Sequence, residues 1–152
     1  MAKKDIMKVK SGQQTVGTTC VNVHFSVGGP SADGNGPADI MLVQALFNYI
    51  GKNNTSVLGF SKQDIPAIDG RIGPSTRNAI LCFQRRNRHK VLSVDGVVHP
   101  ANYEGRVIDL GGRLMTITLL DQFASMEGLM RNEADHIAGL VRIEPRLAPW
   151  LV

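Results

Sequence analysis

The stretch Asp69-Gly70-Arg71-Ile72-Gly73-Pro74-Ser75-Thr76-Arg77-Asn78-Ala79-Ile80-Leu81-Cys82-Phe83-Gln84 leaves the chain little choice of local structure. Asp-Gly favours a tight turn, because glycine takes positive φ at little cost. Gly73 can cap a helix, and Pro74 suits its first position, where a missing N–H is no loss. Thr76, Ala79, Ile80 and Phe83 then fall on one face at helical spacing. The pattern predicts a corner that feeds a capped amphipathic helix.

A second corner follows. Asp95-Gly96-Val97-Val98-His99-Pro100 repeats the order Asp-Gly-x-apolar-x-Pro of Asp69 to Pro74, so two related turn-to-helix units are expected. Residues 101–110 read as an insertion before Gly111-Gly112-Arg113-Leu114. A third helix is expected from Leu114 to about Met126, with Leu114, Ile117, Leu120 and Ala124 inward and Gly128 as its stop.

Ahead of the first corner, Asp39 opens a helix that runs to about Ile50. Ile40, Val43, Phe47 and Ile50 form its apolar stripe, and Gly51 ends it. The connection from Lys52 to Ile68 is long and carries apolar residues, as well-packed or functional loops do. Its Asn53, Asn54 and Thr55 could hydrogen-bond a sugar or a peptide. Residues 1–14 are polar and basic and read as a loose arm. From Thr18 to Val27, Val21, Val23, Phe25 and Val27 alternate with polar residues, which predicts a short strand. Residues 28–38 read as a glycine-proline loop, in which Asp33-Gly34-Asn35-Gly36 lacks the acidic spacing and closing glutamate of a calcium site. Glu133 to Leu140 reads as a short helix. Pro145 and Pro149 predict an extended segment from Glu144 to Val152.

With 152 residues, 43% of them hydrophobic and 20% charged, the chain is expected to form one soluble globule with its own core. A formal charge of +4 is compatible with anionic partners such as wall carboxylates or teichoic acids. The run Arg85 to Lys90 sits where cations favour a helix end, and without interleaved aromatics it is a poor nucleic-acid platform. No apolar run approaches the roughly 20 residues of a membrane span. Met1-Ala2-Lys3-Lys4 leads into Asp5, Lys8 and Lys10 rather than the apolar stretch of a signal peptide. Cys20 and Cys82 do not make a disulfide framework. His24, His89, His99 and His136 are scattered, and no carboxylate or Cys–His pair stands out. No catalytic residue, metal or cofactor is expected.

The order Asp-Gly, apolar link, Gly-Pro, Thr, Ala-Ile, Phe-Gln resembles the central motif of the peptidoglycan-binding domain family, a small helical module of bacterial cell-wall enzymes. Pro37-Ala38-Asp39-Ile40 followed by Val43-Gln44-Ala45-Leu46 resembles that family's first helix, with Gln44 at its glutamine. The resemblance covers about Ser26 to about Leu120. It implies a mainly α fold: an orthogonal three-helix peptidoglycan-binding-like bundle over residues 28–126, with an N-terminal β-strand arm over 1–27 and a C-terminal extension over 127–152. It further implies non-catalytic recognition of peptidoglycan, with a stem peptide or glycan held in a shallow groove beside the 52–68 connection.

The candidate ligand-binding residues are the polar or exposed positions around the corner and the helix start: Gln44, Tyr49, Asp69, Arg71, Thr76, Arg77 and Asn78. Gln44, Asp69, Gly70 and Thr76 serve equally well as builders of the turn. Made in the cytoplasm without a leader, a wall binder needs another route to the periplasm, and a type VI secretion or phage-like contractile system is the expected carrier. The alternative is an adaptor or structural protein of such a particle that binds another protein, a reading favoured by the apolar end Trp150-Leu151-Val152. A wall hydrolase with an unrecognised site is a third.

Overall fold

Gly73 and Pro74 act as their chemistry predicts. Helix α2 runs Pro74–Arg86, with Gly73 as an extended N-cap and proline in the first turn. The computed structural model describes residues 2–29, 34–133 and 135–152. Met1 of the expected arm, residues 30–33 of the expected loop (its Asp33 included) and Ala134 of the expected short helix lie outside them. Helix α1 is Pro37–Gly51 and α3 is Thr116–Met130. Val43, Phe83 and Leu114, one from each predicted helical unit, lie in a single buried cluster. Phe83 sits edge-on between Phe47 and Phe123, with centroids 6.0 and 6.1 Å away.

The expected mainly α bundle is corrected by the structure. Among the described residues, five helices and a three-stranded mixed sheet, 42% helix and 16% strand, make this a mixed α/β fold. The segment read as a loose arm is strand β1, Lys3–Ser11, paired antiparallel with β2, Gln14–Asn22. Gly12, at φ 62°, opens the two-residue turn between them, where a primed hairpin turn needs a left-handed residue. β1 alternates after all: Met7 is buried and Val9 half-buried, while Lys4, Lys8 and Lys10 are exposed.

The strand expected over 18–27 stops at Asn22 because later backbone donors are claimed by side chains. Buried Asp39 accepts from the N–H groups of His24 and Phe25 at 2.9 and 3.0 Å. The buried Asn22 amide bonds both the N–H and the carbonyl of Ala101. Asp39 therefore lies inside the first turn of α1, and Gly36 is the N-cap.

The insertion supplies the third strand. β3, Val107–Ile108, runs parallel to β1, with Lys8 opposite Val107 and Val9 opposite Ile108, giving the order β2-β1-β3. The expected C-terminal extended segment is helical instead. After α4, His136–Ile143, comes a 3-10 turn at Pro145–Leu147 and then α5, Ala148–Leu151, which packs against β1. Each proline stands in a first turn, where its missing N–H costs nothing. Leu147 and Leu151 are buried and join the main cluster. Gly128 does not end α3; a Cβ there would lie 3.3 Å from His136, so the glycine lets α4 approach. Buried His136 Nε2 and Asp121 Oδ1 meet at 2.7 Å, and the same carboxylate oxygen accepts from Val21 N, tying α4, α3 and β2 together. Both cysteines are free.

Candidate functional site

Each Asp-Gly corner is built around one buried glutamine. At the first, Gln44 Nε2 donates towards Asp69 Oδ1 (2.9 Å), Arg71 O (3.1 Å) and Thr76 Oγ1 (3.0 Å). Its Oε1 accepts from the N–H groups of Asp69 and Gly70 at 3.0 and 2.9 Å. At the second, Gln84 Nε2 faces Asp95 Oδ1 (3.2 Å), Val97 O (2.9 Å) and Thr116 Oγ1 (3.0 Å), and its Oε1 accepts from Asp95 N and Gly96 N. Gly70 and Gly96 take φ of 70° and 75° in the two turns. The amide supplies both donor and acceptor where the turn backbone presents both, which is why a glutamine stands at each centre. Gln84 and Thr116 are absent from the sequence-derived candidates. The signal was there: Gln84 precedes Thr116 by the same 32 residues that separate Gln44 from Thr76.

Asp69 and Asp95 are both held below the ordinary carboxylate range. For Asp69 the Arg71 N–H is the main cause, followed by the Gln44 amide. For Asp95 partial burial pushes upward, but hydrogen bonds from His99, the Val97 N–H and Gln84 outweigh it. His99 stands where the first corner has Gly73. Its Nε2 lies 2.9 Å from Asp95 Oδ2, and its Nδ1 lies 3.2 Å from Ser26 Oγ. Beside this chain of contacts, Val27 and Val98 exchange backbone hydrogen bonds of 2.9 and 2.8 Å.

Four of the seven candidate residues therefore meet at one place: Gln44, Asp69, Arg71 and Thr76. Gln44 and Thr76 are buried and spend their polar atoms on the corner, while Asp69 and Arg71 are exposed. Arg77 is drawn aside, its guanidinium donating to the carbonyls of Gly28 and Gly29. Tyr49 is buried beneath α4, against Gly139, with the Arg131 guanidinium 4.4 Å above its ring. Burial, helped by the Glu133 charge, pushes its phenol up to about 12. It does not share a surface with the corner.

Asn78 occupies a different setting. It lines an open groove of about 390 Å³ between the 52–68 connection and the outer face of α2. Phe60, Gln63 and Asp64 form one wall; Ser75, Asn78 and Cys82 form the other, over Ala79. Phe60 is fixed edge-on against Phe47 at 5.6 Å and remains half-exposed. Asp64 accepts from Ser61 Oγ at 2.9 Å. Among the described residues, the side chains of Gln63, Ser75 and Asn78 make no hydrogen bond. The groove thus offers an aromatic edge, two amides, a hydroxyl and a carboxylate. That set suits a sugar or a short peptide, whose polar groups need partners while the ring or alkyl part lies on an apolar face.

Comparison of the chain with known protein families, with characterised proteins and with solved structures finds no match. No helix among the described residues is long and apolar enough to cross a membrane.

Proposed function

We propose that the protein binds bacterial peptidoglycan without cutting it, and that the groove between Phe60–Asp64 and α2 is the binding surface. The observation that carries this reading is the contrast in engagement. At the corner, Gln44 and Thr76 are consumed by the fold, whereas Gln63, Ser75 and Asn78 present unspent polar groups beside an anchored phenylalanine. The resemblance of the corner and first helix to the peptidoglycan-binding family supplies the ligand class, and Asp64 adds a partner for a free amine on a stem peptide.

Sedimentation with purified sacculi tests the proposal. Phe60→Ala with Asn78→Ala should release the protein into the supernatant, while soluble muropeptides should not appear in either sample. Absence of co-sedimentation at low salt would sink the binding reading. Release of muropeptides, or labelling of Ser26 by a sulfonyl fluoride that disappears in His99→Ala, would replace it with a hydrolytic one.

A second reading, an adaptor of a secretion or phage-like particle, is favoured by the end of α3. Leu129 and Met130 are 76% and 82% exposed and lie next to half-exposed Met126. A change in elution volume with a particle protein, abolished by Leu129→Ser, would support it.

A further inference from the structure

The insertion between the second corner and α3 does more than supply β3. Together with Leu92 and the start of α3 it lines an open pocket of about 580 Å³. Small-molecule sites span roughly 300–1,000 Å³. Leu92, Leu114 and Met115 contribute apolar surface, and Tyr103 is held in the wall by a 2.8 Å bond between its hydroxyl and Thr118 Oγ1. Arg106, immediately before β3, and Arg113, between β3 and α3, line the same space. Both are exposed, and among the described residues neither guanidinium makes a hydrogen bond or an ion pair. Asp109 shares the wall, yet its carboxylate accepts from the Gly111 N–H at 2.9 Å and pairs with neither arginine. Against the one carboxylate of Asp109 the two arginines leave the lining with a net positive charge. Unpaired guanidiniums beside apolar walls attract an anion whose carboxylate or phosphate matches their fork geometry.

We propose that this cavity binds a small ligand with an apolar body and one oxyanion group. Arg106 and Arg113 take the carboxylate or phosphate, and Leu92, Leu114 and Met115 cover the apolar part. The site is separate from the α2 groove, and the inference stands whether or not the protein binds the wall.

NMR titration of the full chain with N-acetyl-leucine, phenyl phosphate and neutral N-acetyl-leucine amide tests it. Saturable shifts in the backbone amides of residues 100–118 are expected with at least one anion, and the stronger of the two identifies the oxyanion. The neutral amide should bind at least tenfold more weakly. Arg106→Gln and Arg113→Gln break no hydrogen bond or ion pair among the described residues, so both should keep the parent spectrum elsewhere. Each should weaken binding about tenfold, the loss expected for one charge-assisted hydrogen bond. Arg113→Lys should retain part of the affinity. No saturable shift with either anion, equal binding of the neutral amide, or full affinity in the double glutamine variant would overturn the proposal.

Discussion

Replacing Gln44 by methionine isolates the polar work of the first corner. The two side chains have nearly the same length and volume, so no cavity opens and the change is confined to hydrogen bonding. Gln44 is 1% exposed and its amide holds five contacts. Thr76 Oγ1 is buried, and stranding a buried hydroxyl costs about 1–3 kcal/mol. The partners on Asp69, Gly70 and Arg71 are within reach of water, so each forfeits only about 0.5 kcal/mol. Burying a thioether in place of an amide returns about 1 kcal/mol. The expected loss is about 3 kcal/mol, a large part of a typical total stability of roughly 5–15 kcal/mol. For a chain of this size that lowers Tm by roughly 6–12 °C. Urea unfolding followed by far-ultraviolet circular dichroism at pH 7 measures it. Gln84→Met should cost about as much, because the second amide is equally buried and identically bonded. In a double-mutant cycle with Thr76→Val, the pair should cost about 1 kcal/mol less than the sum. A Gln44→Met variant within about 0.5 kcal/mol of the parent, with unchanged m, would refute the reasoning, since the buried amide would then be interchangeable with an apolar chain.

Acid should unfold the protein through Asp69, Asp95 and Glu144, the last held low mainly by its hydrogen bond from Arg146. All three bind protons less readily when folded, so their stabilisation is complete above the unfolded values near 4 and is lost as pH falls through the lower folded ones. Urea midpoints between pH 6 and pH 2 should drop below about pH 4.5, and Asp69→Asn should flatten part of that slope. Gly59→Ala should destabilise by about 2–4 kcal/mol, because φ is 81° and a Cβ would sit 2.7 Å from Arg86 Cβ and 2.8 Å from Cys82 O; Gly73→Ala, with nothing within 4 Å, should cost only about 0.5–1 kcal/mol, the loss of a favoured N-cap residue, in the same urea unfolding. Burial pushes the phenols of both tyrosines, Tyr49 and Tyr103, upward. Absorbance at 295 nm should therefore show no tyrosine ionising near pH 10 in the folded protein, and a step there that persists in Tyr103→Phe would contradict the packing of α4 over Tyr49.

The corner and the cap of α2 were legible because they are written in turn chemistry: glycine for positive φ, proline for a first turn. α1 was legible from its period. β1 was not, because its inner face carries only Met7 and Val9 as apolar residues and Ile6 lies on the outer face, 65% exposed. β3 is two residues long and exists only because β1 offers it an edge, information that no local window holds. Pro145 and Pro149 look like breakers in sequence, yet a proline stops a helix only in its interior and is welcome in its first turn, where both of these stand. At the candidate groove, Asn78 was legible as an outward position beside the capped turn, and its companions Phe60, Gln63 and Asp64 fell within a connection already marked by its length. Arg77 and Tyr49 went elsewhere because the sequence fixes neither the side from which the 28–29 loop approaches α2 nor the docking of α4 over α1. Gln84 escapes a local reading because the echo lies in the two Asp-Gly turns, while the glutamine that holds each turn stands outside it, 25 residues before the first aspartate and 11 before the second.

The parallel pairing of β1 with β3 sets the order in which the molecule can assemble. β1 is synthesised well before the residues that flank it, β3 and α5, and until they arrive it has only β2 to lean on. A two-stranded hairpin is marginal alone in water, so on the ribosome the lysine-rich ribbon waits while α1 and α2 form from nearby sequence. Closing loops of this length slows folding more than it weakens the product. The helices are thus expected to gain protection from amide exchange first, and the sheet to be the last part locked in place.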